Sequence, residues 1–269
     1  MHRTAFAAAR QRALHLLVDG EPKIFSDEFA IQLTGDEPSD LIELRPTLPP
    51  STAAWVLRSR YAEDRLAASI GRGVRQYVLL GAGLDSFACR HFGSLGSLTV
   101  YEVDDPPLQE WKRARLAELG VVSPAECVYV PCDFESRPLA EALADGGFRP
   151  DLPTFISWLG VTQYLSHAAI AHTLGWVRSL ATGSEIVLTY VVPESRNNTH
   201  QRRLRASGVP FNTYFTPEAI ATFLRRSGLA RIEHLTREQA AARYFADRTD
   251  GLVPMESELL VSAVVADPA

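Results

Sequence analysis

From residue 76 onward, short apolar runs alternate with stretches whose apolar residues recur every three or four positions. The runs are "QYVLLG" from Gln76, "SLTVYEVD" from Ser97, "ECVYVPCDF" from Glu126, "TFISWLGV" from Thr154 and "SEIVLTYVV" from Ser184. Short apolar runs bounded by turn residues read as buried strands. Between them lie a helix-like stretch holding Phe87, "PPLQEWKRARLAELG" ending in Gly120, "PLAEALADGG" ending in paired glycines, and "HAAIAHTLGWVRSLATG" closed by Gly183. Strand-helix alternation with short connections predicts an α/β fold, a doubly wound, mostly parallel sheet with helices on both faces. Further on, "TPEAIATFLRRSGL" reads as a helix with Thr216 as N-cap and Pro217 at its first position. "RIEHLT" and "ELLVSAVVA" are the expected last strands.

The first seventy residues follow a different pattern. Ala7, Leu14, Leu17 and Val18 recur at helical spacing, and "STAAWVLRSRYAEDRLAASI" is the strongest helix signal. Ser51 or Thr52 would cap it, with Trp55, Val56, Leu66 and Ile70 set among polar residues. "GEPKIFSDEFA" reads as a turn and a short apolar entry, while "DEPSD" and "RPTLPP" read as loops. After the fifth strand, "PESRNNTHQRRLRASGVPFNTYF" is polar and irregular, the pattern of a lid.

Composition narrows the class. The chain has 269 residues, 46% hydrophobic and 22% charged, as in an ordinary globular protein. A net charge of −5 gives no electrostatic footprint for nucleic acid. No apolar stretch is long enough to span a bilayer, so neither nucleic acid nor membrane is an expected partner. Arg10 and Arg12 interrupt what could have been the core of a signal peptide, so the N-terminus reads as an Ala/Arg helix, with a transit peptide as the rival reading. Cys89, Cys127 and Cys132 form no C-x-x-C pair; an odd, sparse set fits a reducing, cytoplasmic setting and buried thiols. There is no H-E-x-x-H, no G-x-S-x-G and no phosphate-loop motif, and His167 and His172 are five apart. No metal is expected.

"VLLGAGLDS", Val78 to Ser86, ends the first strand in Gly81, Ala82 and Gly83. Glycines there let a cofactor lie against bare backbone, because no Cβ holds it off. The dinucleotide pattern G-x-G-x-x-G is incomplete, since Ser86 stands at the third glycine. Asp104, about 20 residues on at the end of the second strand, is placed to accept ribose hydroxyls. Dinucleotides and S-adenosylmethionine share that contact. Asp133 and Phe134, at the end of the third strand, suit an adenine: the carboxylate takes the exocyclic amine and the ring packs on the phenyl. Asp85 either caps the following helix or reaches the cofactor.

"VLLGAGLDSFACR", "VYEVDDPPLQEWKRARL", "VPCDFE" and "SWLGVTQYLS" together resemble the leucine carboxyl methyltransferase-like family, in its actinobacterial branch of S-adenosylmethionine-dependent methyltransferases. "TAFAAARQRALH", "FSDEFA", "LRSRYAEDRL" and "FNTYFTPEAIATFLRRSGL" extend the resemblance over most of the chain. It implies a seven-stranded class I methyltransferase fold, with an N-terminal helical cap over residues 1–72. A cofactor-binding domain over 73–269 would follow, with the lid at about 193–215. It implies that Gly81, Ala82 and Gly83 pass under the methionine part of S-adenosyl-L-methionine, that Asp104 binds the ribose, and that Asp133 and Phe134 hold the adenine. Arg58, or else Arg60, would pair with the cofactor's carboxylate. The broader family has a glutamate before the glycine of the fourth-strand motif, where this chain has Leu159. Backbone carbonyls around Leu159 and Gly160 would then accept from the cofactor's ammonium.

The implied activity is O-methylation of a carboxylate or hydroxyl on a small molecule or peptide. A carboxylate needs no base; a phenol or alcohol does. Tyr164, Tyr190, His200 and Tyr214 are the candidate bases, and Arg202, Arg203 and Arg205 would make the lid attractive to an anionic substrate. Two other readings remain open at this stage: a nicotinamide-dependent oxidoreductase, and a cofactor-binding module without methyl transfer. The sequence sets neither the acceptor nor the oligomeric state.

Overall fold

Every apolar run forms a strand in the computed structural model, which describes residues 3–44, 52–134, 137–193 and 211–266. The strands are β1 (Gln76–Leu80), β2 (Thr99–Asp104), β3 (Cys127–Pro131), β4 (Thr154–Trp158), β5 (Glu185–Val191), β6 (Leu229–Leu235) and β7 (Glu258–Val265). They form one seven-stranded sheet in the order β3-β2-β1-β4-β5-β7-β6. β1 to β5 pair in parallel, and β7 runs antiparallel between β5 and β6. β6 starts at Leu229, earlier than its apolar pattern suggests. A register shift between Ala230 and Glu233, with Arg231 at φ 48°, breaks the alternation there.

The helices are α1 (Arg3–Val18), α2 (Glu28–Thr34), α3 (Pro38–Leu44), α4 (Thr52–Gly71), α5 (Phe87–Arg90), α6 (Pro106–Glu118), α7 (Leu139–Asp145), α8 (His167–Arg178), α9 (Pro217–Arg226) and α10 (Arg237–Tyr244). Thr216 caps α9 as expected, its hydroxyl accepting from the Ala219 amide at 3.2 Å. Three short helices stand where no helix was expected. Asp27 caps α2 and Gly35 ends it in the left-handed region. Pro38 opens α3 instead of breaking it, because a first-turn proline gives up no helical hydrogen bond. Thr236 and Gln239 cap α10 reciprocally.

The sheet buries both faces. Tyr77 and Leu79 of β1 face one apolar layer with Val56, Tyr61 and Leu66 of α4. Val78 and Leu80 face the other, with Leu174 and Val177 of α8. α4 crosses the sheet and is tied down at its C-terminal half. There Arg65 and Arg72 both reach the buried Glu185 at 2.6 Å, and Ser69 donates to it at 3.0 Å. Glu185 begins β5, so the N-terminal half of α4 stands toward the edge where the parallel strands end. Among the described residues no helix is long and apolar enough to cross a membrane. Most of the expected lid, with His200, Arg202, Arg203 and Arg205, lies outside the described residues.

Candidate functional site

A cavity of about 550 Å³ opens at the C-terminal ends of the central strands. Its floor is the turn after β1. Gly81 and Gly83 have φ of 71° and 54°, which glycine adopts freely. A Cβ on Gly81 would fall 2.4 Å from Val161 Cγ2, so a side chain there would both strain the turn and displace Val161. The Gly81 and Ala82 amides both donate to Val103 O, at 2.9 and 3.1 Å, which holds the turn against β2.

Asp104 closes one side. Its Oδ2 accepts from the Gly83 amide and its Oδ1 from the Asp105 amide at 2.7 Å. Burial pushes its pKa up, against the pull of these amides and of Lys112. Each carboxylate oxygen carries a second acceptor position, so two hydroxyls could still bind. Beneath the turn, Lys112 Nζ donates to Asp85 O and to the buried Glu102. Asp85 Oδ1 accepts from the Phe87 amide at 2.7 Å, so its carboxylate holds the start of α5 while still lining the cavity.

The opposite wall comes from α4 and the segment after β4. Arg58 lines the cavity, whereas Arg60 pairs with Asp64 at 2.9 Å and lines a different depression. Arg58 does not pair with a neighbour on its own helix: Nη1 donates to Glu258 Oε1 at 2.9 Å. Its guanidinium stacks on Trp55, 4.1 Å from the ring centroid. Leu159, Gly160, Val161 and Tyr164 complete the wall. Gly160 donates its amide to Thr189 Oγ1 at 2.7 Å. Burial pushes the Tyr164 phenol up to about 12, with Glu258 adding to the shift.

Not every expected residue faces this space. Phe134 lines it; Asp133 is exposed beside it and is not part of the wall. Tyr190 is buried in the core layer that holds Ile186 and Leu188, its hydroxyl 3.1 Å from His234 Nδ1. Strand alternation points it away from the cavity. Tyr214 is half-buried near Phe211 and also lies off the wall. Conversely, the structure adds a roof from α1: Thr4, Ala5, Ala8 and Arg12. Ala5 sits where a Cβ on Gly83 would approach to 3.2 Å. Arg12 Nη2 donates to Leu84 O at 2.7 Å, which ties the roof to the turn. Ala5, Ala8 and Arg12 are three and four apart, a stripe visible in the sequence once a helix is assigned. Trp55, Arg58 and Ser59 form the matching stripe of α4.

A glycine floor, a half-buried strand-end acid and an arginine opposite it agree with the sequence motifs, and comparison with known proteins decides the family. The model of the family described as "Leucine carboxyl methyltransferase" matches residues 5–178. The chain belongs to the leucine carboxyl methyltransferase family. Among its relatives is "Putative S-adenosyl-L-methionine-dependent methyltransferase YktD" of Bacillus subtilis (strain 168). The two are 32% identical over 258 residues, 91% of this chain and 82% of the relative. A Mycobacterium marinum protein with the same descriptive name is 29% identical over 269 residues, 89% and 83% of the two chains. The fold is that of the crystal structure of "a putative methyltransferase from Thermobifida fusca YX", with a TM-score of 0.60 at 17% identity over 96% of this chain and 94% of that one. A DUF574 family protein from Streptomyces avermitilis gives a TM-score of 0.59 at 16% identity, covering 94% and 96%. The strand order and the antiparallel β7 are those of a class I methyltransferase.

Proposed function

We propose that this protein, an S-adenosyl-L-methionine-dependent methyltransferase, transfers the methyl group to a carboxylate oxygen on a small molecule or peptide. The cavity suits the donor in shape and charge. Gly81, Ala82 and Gly83 would lie beneath its methionine part, where a side chain on Gly81 would strain the turn and displace Val161. Asp104 would accept from the ribose, which returns hydrogen bonds to a carboxylate that burial disfavours. Phe134 would pack on the adenine, with Asp133 at the rim taking the exocyclic amine. Arg58 would meet the donor's carboxylate, and Asp85 with the Leu159 and Gly160 backbone would surround its ammonium.

When bound, the donor supplies a methyl on a sulfonium, open to in-line displacement. This chain's residues then have to orient the acceptor and keep water out. Such positioning is worth about 7–11 kcal/mol of barrier. The observation that favours a carboxylate acceptor is the lining: of the candidate bases, Tyr164 alone among the described residues faces the cavity. With its pKa pushed up to about 12, this phenol is a hydrogen-bond donor at neutral pH and a poor base. A carboxylate acceptor, ordinarily ionised above pH about 4, asks for no base. It would accept from Tyr164 on the cavity wall.

The test is a transfer assay with methyl-labelled donor against carboxylic acids, phenols and peptides of defined sequence. Carboxyl methylation makes an ester, which mild alkali hydrolyses to labelled methanol. Base-labile label on carboxylic acids is the expected result. Label that survives alkali, on phenols or amines, would overturn the carboxylate reading and leave the methyltransferase assignment intact.

A further inference from the structure

Arg58 lies on α4 and Glu258 is the first residue of β7, yet their side chains meet at 2.9 Å while only 9% and 15% exposed. The antiparallel strand explains the meeting. Glu258 pairs in register with Val191, the last residue of β5. Because β7 runs against β5, its beginning stands at the edge where the parallel strands finish, beside the cavity. The guanidinium is confined on other sides too. Trp55 stacks on it, and the Cβ that Gly160 lacks would fall 2.5 Å from Nη1 and 2.9 Å from both Cζ and Nη2. The guanidinium therefore occupies the space that a side chain at position 160 would take.

We propose that Glu258 is the positioning residue of Arg58, holding the guanidinium in the orientation that receives the cofactor's carboxylate. This rests on the reading of Arg58 given above. The physical argument is charge compensation. A guanidinium taken this far out of water, without a counter-charge, would turn back toward solvent. Stacking on Trp55 is too weak to hold it alone. Glu258 supplies the counter-charge through Nη1, and a guanidinium has five N–H donors, so a second carboxylate is compatible with the first. The pair is therefore a socket for the cofactor's carboxylate, not its rival.

Calorimetry with the full-length chain tests this, using S-adenosylhomocysteine and 5′-methylthioadenosine as probes. The second shares the adenosine but lacks the amino-acid carboxylate. Glu258→Ala should weaken S-adenosylhomocysteine binding about tenfold or more and leave methylthioadenosine binding unchanged, which also shows that the variant folds. Glu258→Gln, which keeps an acceptor oxygen at the same reach, should recover part of the loss. Equal weakening of both probes would make Glu258 merely structural, and tighter S-adenosylhomocysteine binding would make it a competitor; either overturns the proposal. Arg58→Ala separates the two levels. If it erases the preference for S-adenosylhomocysteine while Glu258→Ala changes nothing, only the present proposal falls. If Arg58→Ala keeps the preference, the Arg58 assignment falls and the proposal with it.

Discussion

Gly160 shows how much one missing methyl can decide. At φ 72°, an alanine there would be strained by about 1–2 kcal/mol. Its Cβ would also meet the Arg58 guanidinium, already confined by Trp55 and Glu258. Gly160→Ala should therefore lower the melting temperature modestly, at about 2–4 °C per kcal/mol for a chain of this size. It should weaken S-adenosylhomocysteine about tenfold or more, because displacement of a binding group is felt more strongly than the strain. Calorimetry beside a thermal melt checks this, and undiminished affinity would argue that Arg58 does not meet the cofactor's carboxylate. At this scale the sequence was informative where the chemistry is local. Gly81, Gly83 and Asp104 stand at strand ends, and strand ends can be read from apolar runs. Glu258 carries no such signal: its role exists only because two chain segments 200 residues apart converge. Leu159 shows the converse, since the sequence marks the position while its backbone surroundings come only from the fold.

At the level of elements, Asp27 joins α1, α2 and the turn after β1. It accepts from Arg12 Nε at 2.7 Å, from Ser86 Oγ at 2.6 Å and from the Ala30 amide at 3.1 Å, with Arg90 Nε at 3.9 Å. Burial works to raise its pKa, but the charges of Arg12 and Arg90 and the hydrogen bonds outweigh it, so the value falls below the ordinary carboxylate range. The sign follows. A depressed folded-state pKa gives stability that is present above the unfolded value of about 4 and is lost as pH falls through the folded value. Asp27→Asn leaves the buried Arg12 without its counter-charge, while Arg90 keeps Glu63, and should cost about 3–5 kcal/mol at neutral pH. Urea unfolding should show that the variant has lost part of the wild-type decline below pH about 4; an unaltered acid limb would mean that Asp27 is not the joint described. The long helices and the strands were legible because their apolar pattern repeats. α2 and α3 are seven residues each and α10 eight, too short to stand without tertiary contacts. Their caps are nonetheless written in the sequence, Asp27 before α2 and Thr236 with Gln239 at α10.

For the whole molecule, alternation of strand and helix predicted the parallel β1 to β5 but not the order at the far edge. β7 enters between β5 and β6 and there buries Val261 and Ala263 on one face and Leu260 on the other. No local pattern states that insertion, yet it brings Glu258 to the cavity. The cavity in turn touches α1, α4 and four strand ends, so a ligand filling it adds contacts to all of them at once. Binding should therefore stabilise the entire fold. At a hundred times its dissociation constant, S-adenosylhomocysteine adds about 2.7 kcal/mol, which at about 2–4 °C per kcal/mol raises the melting temperature by roughly 5–11 °C. Asp104→Ala should behave differently on both counts. It removes the acceptor of the Gly83 and Asp105 amides, so the variant melts lower without ligand, and it removes the proposed ribose contact, so the ligand-induced rise should shrink or disappear. A differential scanning experiment on both proteins distinguishes these effects. A wild-type rise that survives intact in Asp104→Ala would place the adenosine elsewhere, and no wild-type rise at all would remove the cavity as the cofactor site.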